Sequence, residues 1–142
     1  MSVVRYLLVV LALAGAVVSG MALRVHYSDK TESCSINETW DCGRVNHSSF
    51  AEIAHFPVAA IGIAGYLVLA VLPLLRMRFV LFLAANVGFM FALRLSLIEE
   101  YALGAWCVYC VISQVIIGLI LLISLGWHAA EYRALRKAAP SI

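Results

Sequence analysis

Four cysteines are the residues of this sequence whose type and spacing could do chemistry. Cys34 and Cys42 have seven residues between them, and Cys107 and Cys110 have two. Side chains three positions apart share one face of a helix, and the amides of a first helical turn favour a thiolate at Cys107. The second pair therefore has the spacing of a dithiol that opens and closes a disulfide.

Two alternatives use the same cysteines. Permanent disulfides would hold an outer loop on a non-enzymatic membrane scaffold or transport subunit. A closed four-cysteine zinc site fits less well, because the separation of Cys34 from Cys42 departs from the usual spacing of zinc ligands. Neither alternative explains why Cys110 lies one helical turn inside an apolar run. We therefore favour redox chemistry and expect no metal.

Long apolar runs predict the elements that carry these cysteines. The sequence is 64% hydrophobic and 13% charged, whereas soluble domains are about half apolar and a quarter charged. A membrane-spanning helix needs about 20 apolar residues, and four stretches qualify: residues 6–23, 57–75, 79–98 and 107–127. We predict an all-α fold, an integral membrane four-helix bundle with up-and-down topology, formed by a single domain over residues 1–142.

The charged residues predict which side of the membrane each segment faces. Positive residues mark the side that is not translocated. Six of the ten Lys and Arg residues lie before the first span, between the second and third, and in the tail of residues 128–142: Arg5, Arg76, Arg78, Arg133, Arg136 and Lys137. The segment of residues 24–56 has three positive residues against five acidic ones. Both termini are therefore expected in the cytoplasm. All four cysteines then fall on the outer side, where the long loop of residues 24–56 would cap the site.

Two other classes of interpretation are set aside. The first apolar stretch could be a cleaved signal peptide. Three further spans follow it and would need it as a packing partner, so we interpret it as the first helix of the bundle. The formal net charge is +2, and no segment clusters basic and aromatic residues as a nucleic-acid surface would.

The depth of the second pair indicates its oxidant. Cys110 is expected to lie roughly 4.5 Å deeper in the bilayer than Cys107, where a lipid-soluble quinone could present its ring. A thiolate can attack a disulfide sulfur or a quinone ring when it is accessible. The loop pair lies in a polar segment whose mobility would let it exchange both with the helix pair and with an outside partner. Electrons would thus pass from a protein dithiol to a membrane quinone.

Three motifs occur together in one order along the chain. They are the spacing of Cys34 from Cys42, the run CGRVNHSSF from Cys42 to Phe50, and the pair Cys107 and Cys110 at the start of the last span. The segment from Phe56 to Tyr66 adds a pattern of Pro, Gly and Tyr. This combination resembles the vitamin K epoxide reductase family in its small bacterial form, over about residues 34–114.

The resemblance implies a four-helix bundle that encloses a quinone near the outer face. Cys110 would react with the quinone, Cys107 would pair with it and take electrons from Cys42, and Cys34 would exchange with an external partner. The positions that match the family's pocket are Ser48 and Phe50 in the loop cap and Phe56, Ile61 and Tyr66 in the second span.

Further polar residues have roles that the sequence leaves open. Gln114, one turn below Cys110, could reach a quinone carbonyl or hydrogen-bond a neighbouring helix. His47 or His55 could relay the protons that quinone reduction consumes. Ser113 and Gln114 stand where animal members of the family carry a Thr-Tyr pair, so simple quinone reduction is preferred over epoxide reduction.

The resemblance also implies partners and a location. Bacterial members oxidise a thioredoxin-like protein that introduces disulfides into secreted proteins. Many carry such a domain fused after a fifth span, whereas this chain has only a short basic tail there, so we expect a separate thioredoxin-like partner. The expected surroundings are membrane lipid, and the expected substrate is a quinone of the menaquinone, ubiquinone or vitamin K type. We expect a bacterial cytoplasmic (inner) membrane protein with its active site at the periplasmic face.

Overall fold

The computed structural model describes residues 1–28 and 34–139. Its elements, in chain order, are α1 (Ser2–His26), α2 (Cys42–Asn46), a 3₁₀ turn (Ser49–Ala51), β1 (Glu52–Ile53), β2 (Phe56–Pro57), α3 (Val58–Leu74), α4 (Arg78–Ile98), a π-helical turn (Glu99–Leu103) and α5 (Val108–Ala138). Residues 29–33 of the predicted outer loop and residues 140–142 of the predicted tail lie outside the described residues. The described chain is therefore mostly helical, and its strands form one short hairpin.

Three helical segments of the described chain are long and apolar enough to cross a membrane: Ser2–His26, Arg78–Leu103 and Val108–Ala138. Helix α3 is apolar as well but has 17 residues. The helical class and the membrane character are thus as predicted, whereas the number of spans and the up-and-down topology stay predictions.

Helices α1 and α5 run beyond the apolar stretches that predicted them. Helix α1 begins at Ser2 rather than at Tyr6, and α5 continues to Ala138 rather than ending near Trp127. The additional turns of α5 are rich in Ala, Glu, Leu, Arg and Lys, which are strong helix formers. An apolar run therefore marks the part of a helix that suits lipid, while the helix itself can extend further.

The main apolar core lies between the long helices. Helix α1 packs against α3 and α5, and α5 also packs against α4. Gly15 allows the closest approach, because a Cβ atom at this position would overlap the ring of Tyr66. The other buried members of this core are Leu8, Ala12, Leu69, Ala70, Leu72, Leu81, Ala85, Ile117, Ile120 and Trp127.

The segment before α3 folds over one end of the bundle. A tight hairpin joins β1 to β2 through Ala54 and His55, whose φ angles are 50° and 68°, as two-residue hairpin turns require. His26 at the end of α1 contacts this segment twice: its Nδ1 lies 2.6 Å from the carbonyl oxygen of Asn46, and its Nε2 lies 3.3 Å from the carboxylate of Glu52. Polar contacts therefore hold this capping segment against the end of α1.

Candidate functional site

Backbone pairing docks the loop on the segment that precedes α5. The amide of Trp106 donates to the carbonyl of Thr39 (2.7 Å), and the amide of Asp41 donates to the carbonyl of Trp106 (3.0 Å). Cys42 follows Asp41 in the chain, and Cys107 follows Trp106. The pairing therefore brings one cysteine of each pair together.

The side chain of Asp41 caps the short helix α2. Its carboxylate accepts hydrogen bonds from the backbone N–H of Arg44 (3.1 Å) and from the hydroxyl of Ser35 (2.8 Å). These bonds lower the pKa of Asp41 below its usual value, because they favour the charged form of the carboxyl group. The cap fixes the start of the helix, and the first residue of that helix is Cys42.

The sulfur atoms of the two pairs are in contact. Cys34 and Cys42 form a disulfide, while Cys107 and Cys110 are free thiols. The Sγ of Cys107 lies 3.4 Å from the Sγ of Cys42, and both residues have no exposed surface. A thiol at this distance from a disulfide sulfur is placed for thiol–disulfide exchange, in which a thiolate attacks one sulfur of a disulfide.

Asn46, the last residue of α2, contacts both of these cysteines. Its Nδ2 donates to the carbonyl oxygen of Cys42 (2.8 Å) and to the Sγ of Cys107 (3.4 Å). The residue is buried. The side chain of Asn46 therefore fixes the position of the Cys107 sulfur relative to α2.

Glu99 brings a buried carboxylate to the second pair. It lies in the π-helical turn that follows α4, is 2% exposed, and accepts a hydrogen bond from the backbone N–H of Cys107 (3.1 Å). Cys110 lies in the first turn of α5, and it lines the same cavity as Glu99. The adjacent Glu100 is exposed and accepts the indole N–H of Trp106 (2.9 Å). Two consecutive acids thus have different surroundings, and only the first contacts the second cysteine pair, through the backbone of Cys107.

A cavity of about 680 Å³ opens beside Cys110, which lies on its wall. The lining comes from all five helices and is mostly apolar, with a few polar side chains: Ser19, His26, Asn46, Ser48, Tyr66, Glu99, Tyr109 and Ser113. An apolar cavity of this size with a small number of polar groups is typical of a site for a small apolar molecule.

Four of the residues predicted to form a quinone pocket line this cavity: Ser48, Phe50, Ile61 and Tyr66. The hydroxyl of Tyr66 donates to the carbonyl oxygen of Ser113 on α5 (2.7 Å). Phe56 and Gln114 lie outside the lining: the side chain of Phe56 is 67% exposed in β2, and the side chain of Gln114 accepts a hydrogen bond from Ser96 on α4. The hairpin turns Phe56 outward, and Gln114 makes the bond between helices that was the alternative to a quinone contact.

Sequence reasoning missed Asn46 and Glu99. Asn46 lies within the motif CGRVNHSSF, at a position to which the resemblance assigns no residue type. Glu99 directly follows an apolar run, where an acidic residue is not unusual. The contact of Glu99 with α5 depends on the chain reversal at Gly104, which has a φ of 60°, a conformation that favours glycine. His47 and His55, the histidines considered as proton relays, are exposed.

Three sulfur atoms, those of Cys34, Cys42 and Cys107, lie within 4.8 Å of one another. A structural zinc site is normally formed by four ligands, and each cysteine ligand binds as a thiolate. Two of these sulfurs are instead joined in a disulfide, and Cys110 is not part of the group. The donor set therefore suits exchange between sulfurs better than it suits a metal ion.

Comparison with known families matches residues 6–125 to one family model, described as the Vitamin K epoxide reductase family. A comparison with the curated proteins found no match. The matched region contains all four cysteines, the capping segment and the cavity wall, and it covers most of the 142 residues. The apolar helices and the cysteines agree with a membrane oxidoreductase. The chain therefore belongs to the vitamin K epoxide reductase family.

Proposed function

We propose that this chain is a thiol:quinone oxidoreductase, which passes electrons from a thioredoxin-like partner through two cysteine pairs to a membrane quinone and so supports disulfide formation in secreted proteins. The observation that carries the proposal is the 3.4 Å separation between the Sγ atoms of Cys42 and Cys107. Because Cys110 also lines an apolar cavity, the inner pair has a protein disulfide on one side and room for a lipid-soluble oxidant on the other.

The first half of the proposed cycle moves electrons to the inner pair. A partner dithiol reduces the Cys34–Cys42 disulfide by attacking Cys34, and the partner is oxidised. The Cys42 thiolate then attacks Cys107 of a Cys107–Cys110 disulfide and releases Cys110. Cys34 attacks Cys42 and releases Cys107, so two electrons and two protons have passed to the inner pair. An oxidised outer pair and free inner thiols, as observed, correspond to this point of the cycle.

The second half oxidises the inner pair. The Cys110 thiolate bonds to the quinone ring, and Cys107 then attacks the Cys110 sulfur to form a disulfide. The ring keeps the electron pair of the broken bond, takes up the two thiol protons and leaves as a hydroquinone. The position of Cys110 on the cavity wall supports its role as the residue that meets the quinone.

The quinone would occupy the cavity of about 680 Å³. Its volume falls within the range of small-molecule sites, and the apolar lining would bury the ring and part of a prenyl tail. We propose that Ser48, Phe50, Ile61 and Tyr66 contact this substrate, which is of the menaquinone, ubiquinone or vitamin K type. The quinone contacts predicted for Phe56 and Gln114 stay predictions.

The distribution of charge supports a location for the protein. At the end of the bundle away from the cysteines, the guanidinium of Arg78 lies 3.3 Å from the carboxylate of Glu131 and 4.6 Å from the centre of the Trp127 ring. Positive residues mark the cytoplasmic side, and disulfides persist in oxidising compartments. We propose a bacterial inner-membrane protein with cytoplasmic termini and a periplasmic site.

Replacement of Cys110 tests the proposal. Purified protein, given a reduced thioredoxin-like protein and a soluble quinone, should consume the quinone, and Cys110→Ala should abolish this loss of absorbance. Arg94→Met is the control, because the Arg94 side chain is exposed on α4 and the change should leave turnover nearly intact. Quinone consumption by Cys110→Ala at the wild-type rate would contradict the proposal.

The alternative function is a membrane scaffold with permanent disulfides. The free thiols of Cys107 and Cys110 do not favour it. Thiol trapping in intact membranes separates the two functions: an oxidoreductase should show a mixture of oxidised and reduced forms that shifts when quinone is withdrawn, whereas a scaffold should stay in one oxidised form.

A further inference from the structure

We infer that Glu99 is the proton-transfer residue of the inner pair: its carboxylate takes the proton of the Cys110 thiol and delivers it to the reduced quinone. This inference rests on the proposed function and names the group that handles protons in it. The role differs from those of the four cysteines, which carry the electrons.

The surroundings of Glu99 are unusual for an acid. Among the described residues it is the only acidic or basic side chain that is buried, and it lines the cavity. It belongs to the segment Arg78–Leu103, which is apolar enough to cross a membrane, and within residues 1–28 and 34–139 no cation pairs with it. Because removing a carboxyl group from water costs free energy, an ionisable group in such a segment points to a function.

The contacts of Glu99 suit proton transfer. A general base must lie within hydrogen-bonding reach of the proton it removes. The backbone N–H of Cys107 donates to the Oε2 of Glu99 (3.1 Å), which holds the carboxylate beside the first turn of α5, where Cys110 lies. Glu99 and Cys110 also share the wall of the cavity that would receive the quinone. The carboxylate therefore faces the cavity that would hold the proton acceptor, and the proton donor Cys110 lies on the same wall.

The proton and electron movements balance. The Cys110 thiol gives its proton to Glu99 as its sulfur bonds to the quinone ring, and Glu99 gives that proton to the ring oxygen that has become negatively charged. When Cys107 attacks Cys110, the bond from sulfur to the ring breaks and the ring keeps the electron pair. The Cys107 proton reaches the second oxygen through the same carboxylate. Two thiols become one disulfide, the quinone becomes a hydroquinone, and Glu99 ends as a carboxylate.

Few other titratable groups face this carboxylate. The thiols of Cys107 and Cys110 lie at the start of α5, the phenol groups of Tyr109 on α5 and Tyr66 on α3 line the same cavity, and α2 presents the uncharged Asn46. From α1, His26 lines the same cavity. On α4 and the turn after it, Arg94 and Glu100 are exposed. A pH dependence of the quinone step that disappears when the carboxyl group of Glu99 is removed is therefore assigned to Glu99.

The test compares two neighbouring acids, Glu99→Gln and Glu100→Gln. An amide at position 99 can still accept the Cys107 N–H but cannot carry the proton. Each protein is reduced with dithiothreitol, freed of it, and mixed with a soluble quinone over a range of pH. We expect the rate constant of the quinone step to fall about a hundredfold in Glu99→Gln, with little change in the quinone concentration for half-maximal rate. Glu100→Gln should match the wild type.

The pH profile separates a proton-transfer role from a structural one. The wild-type rate should fall in acid, where the carboxylate is protonated, and Glu99→Gln should lose this fall. Glu99→Asp keeps a carboxylate and should keep the acid limb at a reduced rate, and this variant decides the matter if Glu99→Gln does not fold. Equal rates for Glu99→Gln and Glu100→Gln, or an acid limb that survives in Glu99→Gln, would overturn the inference.

Failure of the proposed function gives a different result. If the reduced wild-type protein does not reduce quinone at all, the proposed function itself is wrong. If the wild type reduces quinone but Glu99→Gln and Glu100→Gln have equal rates, the proposed function stands and the role of Glu99 is wrong.

Discussion

The interior of the bundle and its cysteine end are held together by different kinds of contact. In the interior, apolar side chains pack closely, as where Gly15 meets the ring of Tyr66. At the cysteine end, hydrogen bonds that Asp41 and Glu99 accept and that Asn46 donates fix the backbone and the Cys107 sulfur. A change in the interior should therefore reduce the stability of the whole bundle, whereas a change at the cysteine end should mainly slow exchange between the two pairs.

The largest effect on stability is expected from Gly15→Ala. The added methyl group would overlap the Tyr66 ring, and overpacking of this kind costs about 2 kcal/mol. Unfolding of the protein in detergent measures this loss. Gly20→Ala is the matched control on the same helix, because a Cβ atom there has no neighbour within 4 Å. Equal stability of the two variants would remove the contrast between the packed interior and the polar end.

A smaller loss of stability, with a larger effect on exchange, is expected from Asn46→Ala. The change leaves the buried carbonyl oxygen of Cys42 without this donor and the Cys107 sulfur without its contact. A lost buried hydrogen bond costs about 1.5 kcal/mol, so transfer between the pairs should slow by about tenfold. Rapid mixing of the oxidised protein with a reduced thioredoxin-like protein measures this rate. The exposed neighbour His47 provides the control, and an effect of His47→Ala as large as that of Asn46→Ala would contradict the role of Asn46.

The smallest effect is expected from Asp41→Ala, which removes the cap of α2. Loss of such a cap costs about 1 kcal/mol. Because the pKa of Asp41 is lowered in the folded protein, the contribution of its charge is present above the unfolded pKa of about 3.9 and is lost as the pH falls through the folded value. The reactivity of Cys107 toward a thiol reagent should rise in the variant. The free energy of unfolding of the variant should also lose the part of its pH dependence that Asp41 supplies. An unchanged reactivity would show that the cap does not hold the loop.

The same two regions differ in how far the sequence predicts them. Apolar runs predicted the positions of the long helices, because hydropathy depends on residue type alone. The runs did not predict the first turn of α1 or the last turns of α5. The last turns of α5 lie outside the apolar run and are rich in strong helix formers. The number of spans also depends on α3, whose 17 residues are fewer than a typical span.

At the cysteine end, spacing and resemblance predicted two pairs, and the structure brings Cys42 and Cys107 together. Sequence patterns did not predict the contacts between segments that are distant in the chain. Trp40 and Trp106, which are 66 positions apart in the chain, pair through the backbone, with ring centroids 6.4 Å apart. The burial of Glu99 likewise depends on how the turn at Gly104 returns the chain, which a hydropathy pattern does not encode.

The most direct test of the account uses a variant that keeps only the two cysteines in contact. In Cys34→Ala/Cys110→Ala, mild oxidation followed by mass mapping of the unreduced peptides should give a Cys42–Cys107 disulfide, because the two Sγ atoms lie 3.4 Å apart. In the control Cys34→Ala/Cys107→Ala, Cys42 and Cys110 should stay open to alkylation. The account predicts the link in the first variant alone, and free, alkylated Cys42 and Cys107 in that variant would contradict it.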